Sequence, residues 1–191
     1  MRIEATALPA VLRIVPDRHG DARGWFSETW NRRALAGAGV ALDFVQDNAS
    51  LSAAVGTLRG LHYQAPPSAQ DKLVRCVRGA LTDVAVDARR GSPTYGRWVA
   101  EDLTAENGAQ LLVPAGFLHG FVTRAEGTEI AYKCTAHYDR AADGAVAWDD
   151  PDLGIDWGVD APVLSEKDRA APRLADWDSP FRYDGPLPWE A

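Results

Sequence analysis

Cysteine is scarce in this chain, with two in 191 residues, Cys76 and Cys134. Each lies in apolar, β-like sequence, so both are expected as buried thiols, with no disulfide framework holding the fold. Long apolar runs are missing too: none approaches the ~20 residues a bilayer span needs. The N-terminus, Met-Arg-Ile-Glu-Ala-Thr, has no signal-like apolar segment, so no membrane association and a cytoplasmic location are expected. Basic residues are outnumbered, 20 against 27 acidic ones, for a net charge of −7. A nonspecific nucleic-acid surface is therefore not expected, although a local basic cluster could hold a phosphorylated small molecule. There are no internal repeats or low-complexity linkers, and a 46% hydrophobic content suffices for the core of one domain.

What is present reads mainly as β structure. Ile3, Leu8, Val11, Leu12, Ile14 and Val15 suggest one or two early strands, and Pro16 to Asp21 supplies turn formers, with His19 solvated in the turn. Asn31 to Ala38 predicts a helix capped by Asn31. From Phe44 onward, short β-like segments recur between Gly, Pro, Asn and Asp, as in a sandwich or barrel. Strands are predicted at 73–77, 81–86, 95–99, 109–113, 119–123 and 130–134. In the second of these, Thr82, Val84 and Val86 alternate with Asp83, Ala85 and Asp87, the pattern of a half-buried strand. Ser165 to Ala171 predicts a short capped helical turn within a proline- and aromatic-rich tail.

Four histidines are candidates for chemistry: His19, His62, His119 and His137. His62 follows Leu58-Arg59-Gly60-Leu61, and His119 ends Pro114-Ala115-Gly116-Phe117-Leu118-His119, so both are placed on strands inside a barrel. His137 lies in polar sequence. The Pro-x-Gly-x-x-His string resembles the second motif of the cupin superfamily, which implies a jelly-roll β-sandwich. Metal-binding cupins carry His-x-His and a downstream Glu in the first motif. Here that region reads His62-Tyr63-Gln64, and no Glu occurs between Gln64 and Gly79. Two histidines fall short of the three or more ligands a transition metal wants, so no metal is expected.

Seven strings in register, from Arg23-Gly24-Trp25-Phe26-Ser27-Glu28 to Leu164-Ser165-Glu166-Lys167-Asp168, resemble the dTDP-4-dehydrorhamnose 3,5-epimerase family. Between them stand Gln46-Asp47-Asn48, Arg59-Gly60-Leu61-His62-Tyr63-Gln64, Asp71-Lys72-Leu73-Val74, Pro114 to Phe121 and Tyr132-Lys133-Cys134-Thr135. The resemblance implies an all-β cupin-type jelly roll with a few short helices. It also implies a single domain over 1–191, with a tail from about residue 160 packed along the barrel.

The implied substrate is a dTDP-4-keto-6-deoxy sugar, epimerised at C3 and C5 without metal or organic cofactor. The C4 ketone acidifies both protons, so the site needs a base, an oxyanion stabiliser and an acid on the opposite face. By resemblance these are His62 as base oriented by Asp168, Lys72 for the oxyanion, and Tyr132 as proton donor. Tyr138 is a rival to Tyr132, on the same face if its strand continues. Arg59 and Arg23 match positions that contact the nucleotide, a role suited to guanidinium forks. Glu28, Gln46, Asn48, His119 and Lys167 match further binding positions. Asp143 stands where the family often has Glu, one methylene shorter. The resemblance also implies a homodimer in which N-terminal residues complete the partner's sheet. A single-centre epimerase, a non-catalytic sugar-nucleotide-binding cupin and a metal-dependent cupin remain alternatives.

Overall fold

Alternating segments cut by glycine turns fold as thirteen short strands and two short helices in the computed structural model, which describes residues 1–190. In chain order these are β1 (Arg2–Ala5), β2 (Leu12–Val15), β3 (His19–Asp21), β4 (Gly24–Phe26), α1 (Arg32–Gly37), β5 (Gln46–Ser52), β6 (Leu58–Gln64) and β7 (Lys72–Arg78). There follow β8 (Ala80–Asp87), β9 (Trp98–Thr104), β10 (Gln110–Val113), β11 (Phe117–Thr123), β12 (Thr128–Cys134), β13 (Asp143–Ala145) and α2 (Glu166–Arg169). Asn31 caps α1 as expected, accepting from the Arg33 and Ala34 amides.

Two antiparallel sheets make the body. One has the order β1-β2-β10-β7-β12-β5 and the other β13-β6-β11-β8-β9, while β3 and β4 form a separate, exposed hairpin. Val74, Cys76 and Ile130 of the first sheet meet Leu81, Ala85, Phe117 and Phe121 of the second, so the main core lies between the sheets. This is the expected all-β sandwich with a few short helices. Both cysteines are free and buried. Among the described residues, no helix is long and apolar enough to cross a membrane.

The structure departs from the expected pattern at four places. First, β8 is not half-buried, because everything from Asp83 to Asp87 is buried. Its outer residues, Val84 and Val86, lie under Leu153 and Trp157 from the segment after β13 and Phe181 from the C-terminal tail. Second, the strand predicted at 95–99 starts only at Trp98. The Asp87 carboxylate gathers the Ser92 and Thr94 hydroxyls, at 2.6 Å each, and so holds the preceding segment as turns. Third, His19 is exposed as expected, but on β3 rather than in a turn. Fourth, β12 ends at Cys134, so Tyr138 lies outside that strand and shares no strand face with Tyr132.

Gly60 fixes how β6 faces the core. The β6–β11 ladder pairs Arg59 with Phe121 and His62 with His119, so two residues of β6 oppose the single Gly120 of β11. That extra residue is a bulge, and it places residues three apart on one face. Leu58 and Leu61 correspondingly share the outer cluster. The bulge needs glycine: Gly60 has φ +141°, and a Cβ there would lie 2.5 Å from the Gly120 Cα. Gly60→Ala is expected to lose on the order of 3 kcal/mol or more from strain and overpacking. That corresponds to a melting temperature roughly 6–12 °C lower, measurable by thermal denaturation.

Candidate active site

The bulge turns His62 toward the space between the sheets, and the tail brings a carboxylate to it. His62 Nε2 lies 2.6 Å from Asp168 Oδ1, although the two are 106 residues apart. Asp168 is 3% exposed and also accepts from the Gly60 amide at 3.4 Å and the Ser165 hydroxyl at 2.6 Å. Burial opposes its ionisation, but the hydrogen bonds from His62 and Ser165 outweigh burial and hold the carboxyl below the usual aspartate value.

Beside His62, across the ladder, His119 Nε2 meets the wholly buried Asp83 at 2.7 Å. The opposite sheet supplies Lys72 at the start of β7 and Tyr132 on β12. Burial pushes the Lys72 ammonium down, opposed by Cys134, Asp143 and Asp83. Burial pushes the Tyr132 phenol up, an effect that nearby Arg59 partly offsets. A cavity of about 300 Å³ lies between the sheets, lined by His62, Lys72, Tyr132, Gln46, Asn48, Tyr138 and Asp143 among others.

The cavity's rim is cross-braced. Gln46 donates to Asn48 at 3.0 Å and accepts from the Tyr138 amide at 2.9 Å. Asp143 accepts from Lys167 at 2.5 Å and from the Tyr138 hydroxyl at 3.4 Å. Asp143 thus bridges Lys167 and Tyr138. Tyr138 comes to the cavity on this loop, which answers how it can join Tyr132 without sharing its strand. Among the described residues, no group of three or more His, Cys, Asp or Glu is arranged to hold a metal ion.

A family model described as dTDP-4-dehydrorhamnose 3,5-epimerase matches residues 5–176. The chain belongs to the dTDP-4-dehydrorhamnose 3,5-epimerase family. A relative of that name from Sinorhizobium fredii is 52% identical over 188 residues, covering 96% of this chain and 94% of its own length. The crystal structure of a dTDP-6-deoxy-D-glucose-3,5-epimerase from Legionella pneumophila, in complex with dTDP-4-keto-L-rhamnose, superposes with a TM-score of 0.92. It is 41% identical, with 96% of this chain and 99% of that one covered. A 3'-monoepimerase from Streptomyces bikiniensis, in complex with dTDP-quinovose, gives a TM-score of 0.83 at 36% identity, covering 90% and 87%. The sandwich is thus of the cupin type expected for the epimerase family.

Not every residue that the family resemblance singled out meets at this cavity. His119 lies beside His62 in the ladder but is not among the lining side chains. Arg59 shares the inward face of His62, yet its guanidinium reaches to β5, contacting Ser52 Oγ at 3.3 Å and the Leu51 carbonyl at 3.2 Å. Arg23 sits on the exposed hairpin, its side chain 90% exposed and paired with Asp21 at 2.5 Å. Glu28 is exposed and also absent from the cavity lining. Sequence reasoning missed Asp83, Gln64 and Gln70. Gln64 bonds the His137 carbonyl at 3.0 Å and the Asp139 amide at 2.9 Å, so it anchors the loop carrying Tyr138. Gln70 holds the Ala136 carbonyl at 2.8 Å. Gln64 was visible as the end of the first motif, whereas Asp83 looked like any acidic residue of an alternating strand.

The depressed Asp168 pKa gives a signed expectation. Its stabilising contribution is complete above the ordinary aspartate value of 3.8 and is lost as pH falls through the lower, folded-state value. Asp168→Asn should therefore destabilise the protein by roughly 2 kcal/mol near pH 5. By about pH 2.5 the gap from wild type should have narrowed, as read from urea unfolding at both pH values.

Proposed function

We propose that this cavity carries out 3,5-epimerisation of dTDP-4-dehydro-6-deoxy-D-glucose to dTDP-4-dehydro-L-rhamnose, the step that supplies dTDP-L-rhamnose biosynthesis. The observation that carries this reading is His62 on one sheet, held by Asp168 from the tail, facing Lys72 and Tyr132 on the other. With Asp168 ionised, His62 donates its Nε2 proton to it and keeps the Nδ1 lone pair as the basic site. His62 takes the proton from a carbon next to the C4 ketone, and the electrons move to the ketone oxygen as an enolate. Lys72 stabilises that oxygen. Because burial lowers its pKa, its proton is held less tightly than an ordinary lysine's and is well matched to an enolate. Tyr132 returns a proton from the opposite sheet, and that return inverts the centre. Water then takes the proton from His62 and returns one to Tyr132, and the cycle repeats at the second carbon.

Inversion needs an acid and a base on opposite faces of the sugar. Two sheets facing one cavity provide that separation without any moving part. Arg59, Gln46, Asn48, His119, Tyr138, Asp143 and Lys167 are assigned to substrate binding, with Arg59 against the diphosphate.

We further infer that residues 1–191 work as one domain, since the tail both covers β8 and delivers Asp168. A homodimer is inferred as well. Trp25 and Phe26 are 58% and 70% exposed on the hairpin, an apolar surface suited to a second copy. That copy's Arg23 and Glu28 would then complete the binding site. A cytoplasmic setting suits an activated sugar nucleotide.

Incubation with the ketosugar in deuterium oxide should place label at both C3 and C5, and NMR reads both positions. Label at one centre alone would instead assign a monoepimerase. His62→Ala should lower exchange by roughly 10²–10⁴-fold, while Tyr132→Phe should keep exchange and lose epimerised product. Sedimentation should give twice the chain mass, and Trp25→Ser with Phe26→Ser should shift the protein toward monomer.

A further inference from the structure

Asp168 owes its place to a helix of only four residues, Glu166–Arg169, far too short to persist on intrinsic propensity. Tertiary contacts hold it. Val163 forms a parallel bridge with Thr57, donates to the Gly56 carbonyl at 2.9 Å and accepts from the Leu58 amide at 3.0 Å. Two residues later comes Ser165, the N-cap, whose Oγ accepts from the Asp168 amide at 3.1 Å. The same hydroxyl donates to Asp168 Oδ2 at 2.6 Å.

This bonding departs from an ordinary capping box. There, the acidic side chain at the third helical position turns back to the N-cap amide. Here the acid at that position instead spends Oδ2 on the capping hydroxyl and Oδ1 on His62 at 2.6 Å and the Gly60 amide at 3.4 Å. The carboxylate is thus fixed in rotation from two sides, and its charge is divided between an alcohol and an imidazole.

From this geometry we propose that Ser165 is a positioning residue for catalysis, which locks the Asp168 carboxylate against His62 and sets how basic the imidazole is. The proposal rests on the reading of His62 as the base. Its physical content is a competition for one carboxylate. A hydroxyl donating to Oδ2 withdraws charge from the carboxylate that faces the imidazole. Losing the hydroxyl leaves a more basic carboxylate, an imidazolium that forms more readily, and less free base at a given acidic pH.

Capping and positioning are separable by substitution, because glycine at an N-cap costs only a few tenths of a kcal/mol relative to serine, whereas alanine costs about 1 kcal/mol. Ser165→Gly therefore removes the donor and largely spares the helix. The His62 imidazole of histidine-labelled protein, without substrate, is titrated by NMR in wild type, Ser165→Gly and Ser165→Thr. The acid limb of kcat/KM is recorded in parallel. Ser165→Gly should raise the His62 midpoint and the acid limb together by about half a pH unit or more, and Ser165→Thr should restore both. A His62 midpoint in Ser165→Gly that stays at, or falls below, the wild-type value overturns the proposal and leaves Ser165 as a helix cap alone. His62→Asn keeps the two readings apart. Retained solvent exchange in that variant would defeat the assignment of His62 as base, while the substrate-free titration would still decide whether Ser165 tunes the pair.

Discussion

One extra residue in β6 governs the site. In a regular strand, Arg59 and His62 would point to opposite faces, one into the core and one away from it. The bulge opposite Gly120 turns both inward and leaves Leu58 and Leu61 to the outer cluster. Only glycine can sit at position 60, where the two backbones approach too closely for any side chain. The Gly60 amide also faces Asp168, so the residue that aims the imidazole helps to seat its carboxylate.

The second dependence is on the tail. Its aromatic residues cover the outside of the five-stranded sheet, and Trp177 Nε1 donates to the Tyr63 hydroxyl at 2.9 Å, just behind His62 in sequence. Its short helix supplies Asp168 from the end of the chain. Burial of apolar rings, worth roughly 25 cal/mol per Å², thus holds in place a charged group that burial alone would disfavour. Lys167 ties the same helix to the cavity rim through Asp143. The site is consequently complete only with the tail docked on the sheet.

Much of this could be read from the residues. The alternation and turn spacing gave the sandwich, the Asn31 and Ser165 caps gave both helices, and the motif strings gave His62, Lys72, Tyr132 and Asp168 as a set. Other features could not be read. β8 carries a half-buried pattern, yet a distant tail covers its second face, and alternation cannot report what arrives from elsewhere. The turn at 92–97 depends on Asp87, a hydrogen-bonding hub invisible in local propensity. Asp83 became a partner of His119 only because adjacent strands put them in reach.

The sequence by itself determined the all-β class, the free thiols, the family resemblance and the residue types available for proton transfer. These follow from local patterning and composition, which a linear chain already contains. Only the tertiary structure decided which carboxylate meets which imidazole, which sheet faces which across the cavity, and that Arg59 and His62 share a side. The first two are relations between residues far apart in the chain, and the third depends on how β6 pairs with β11. A one-residue change in strand register is enough to reverse them, and no single segment records that register.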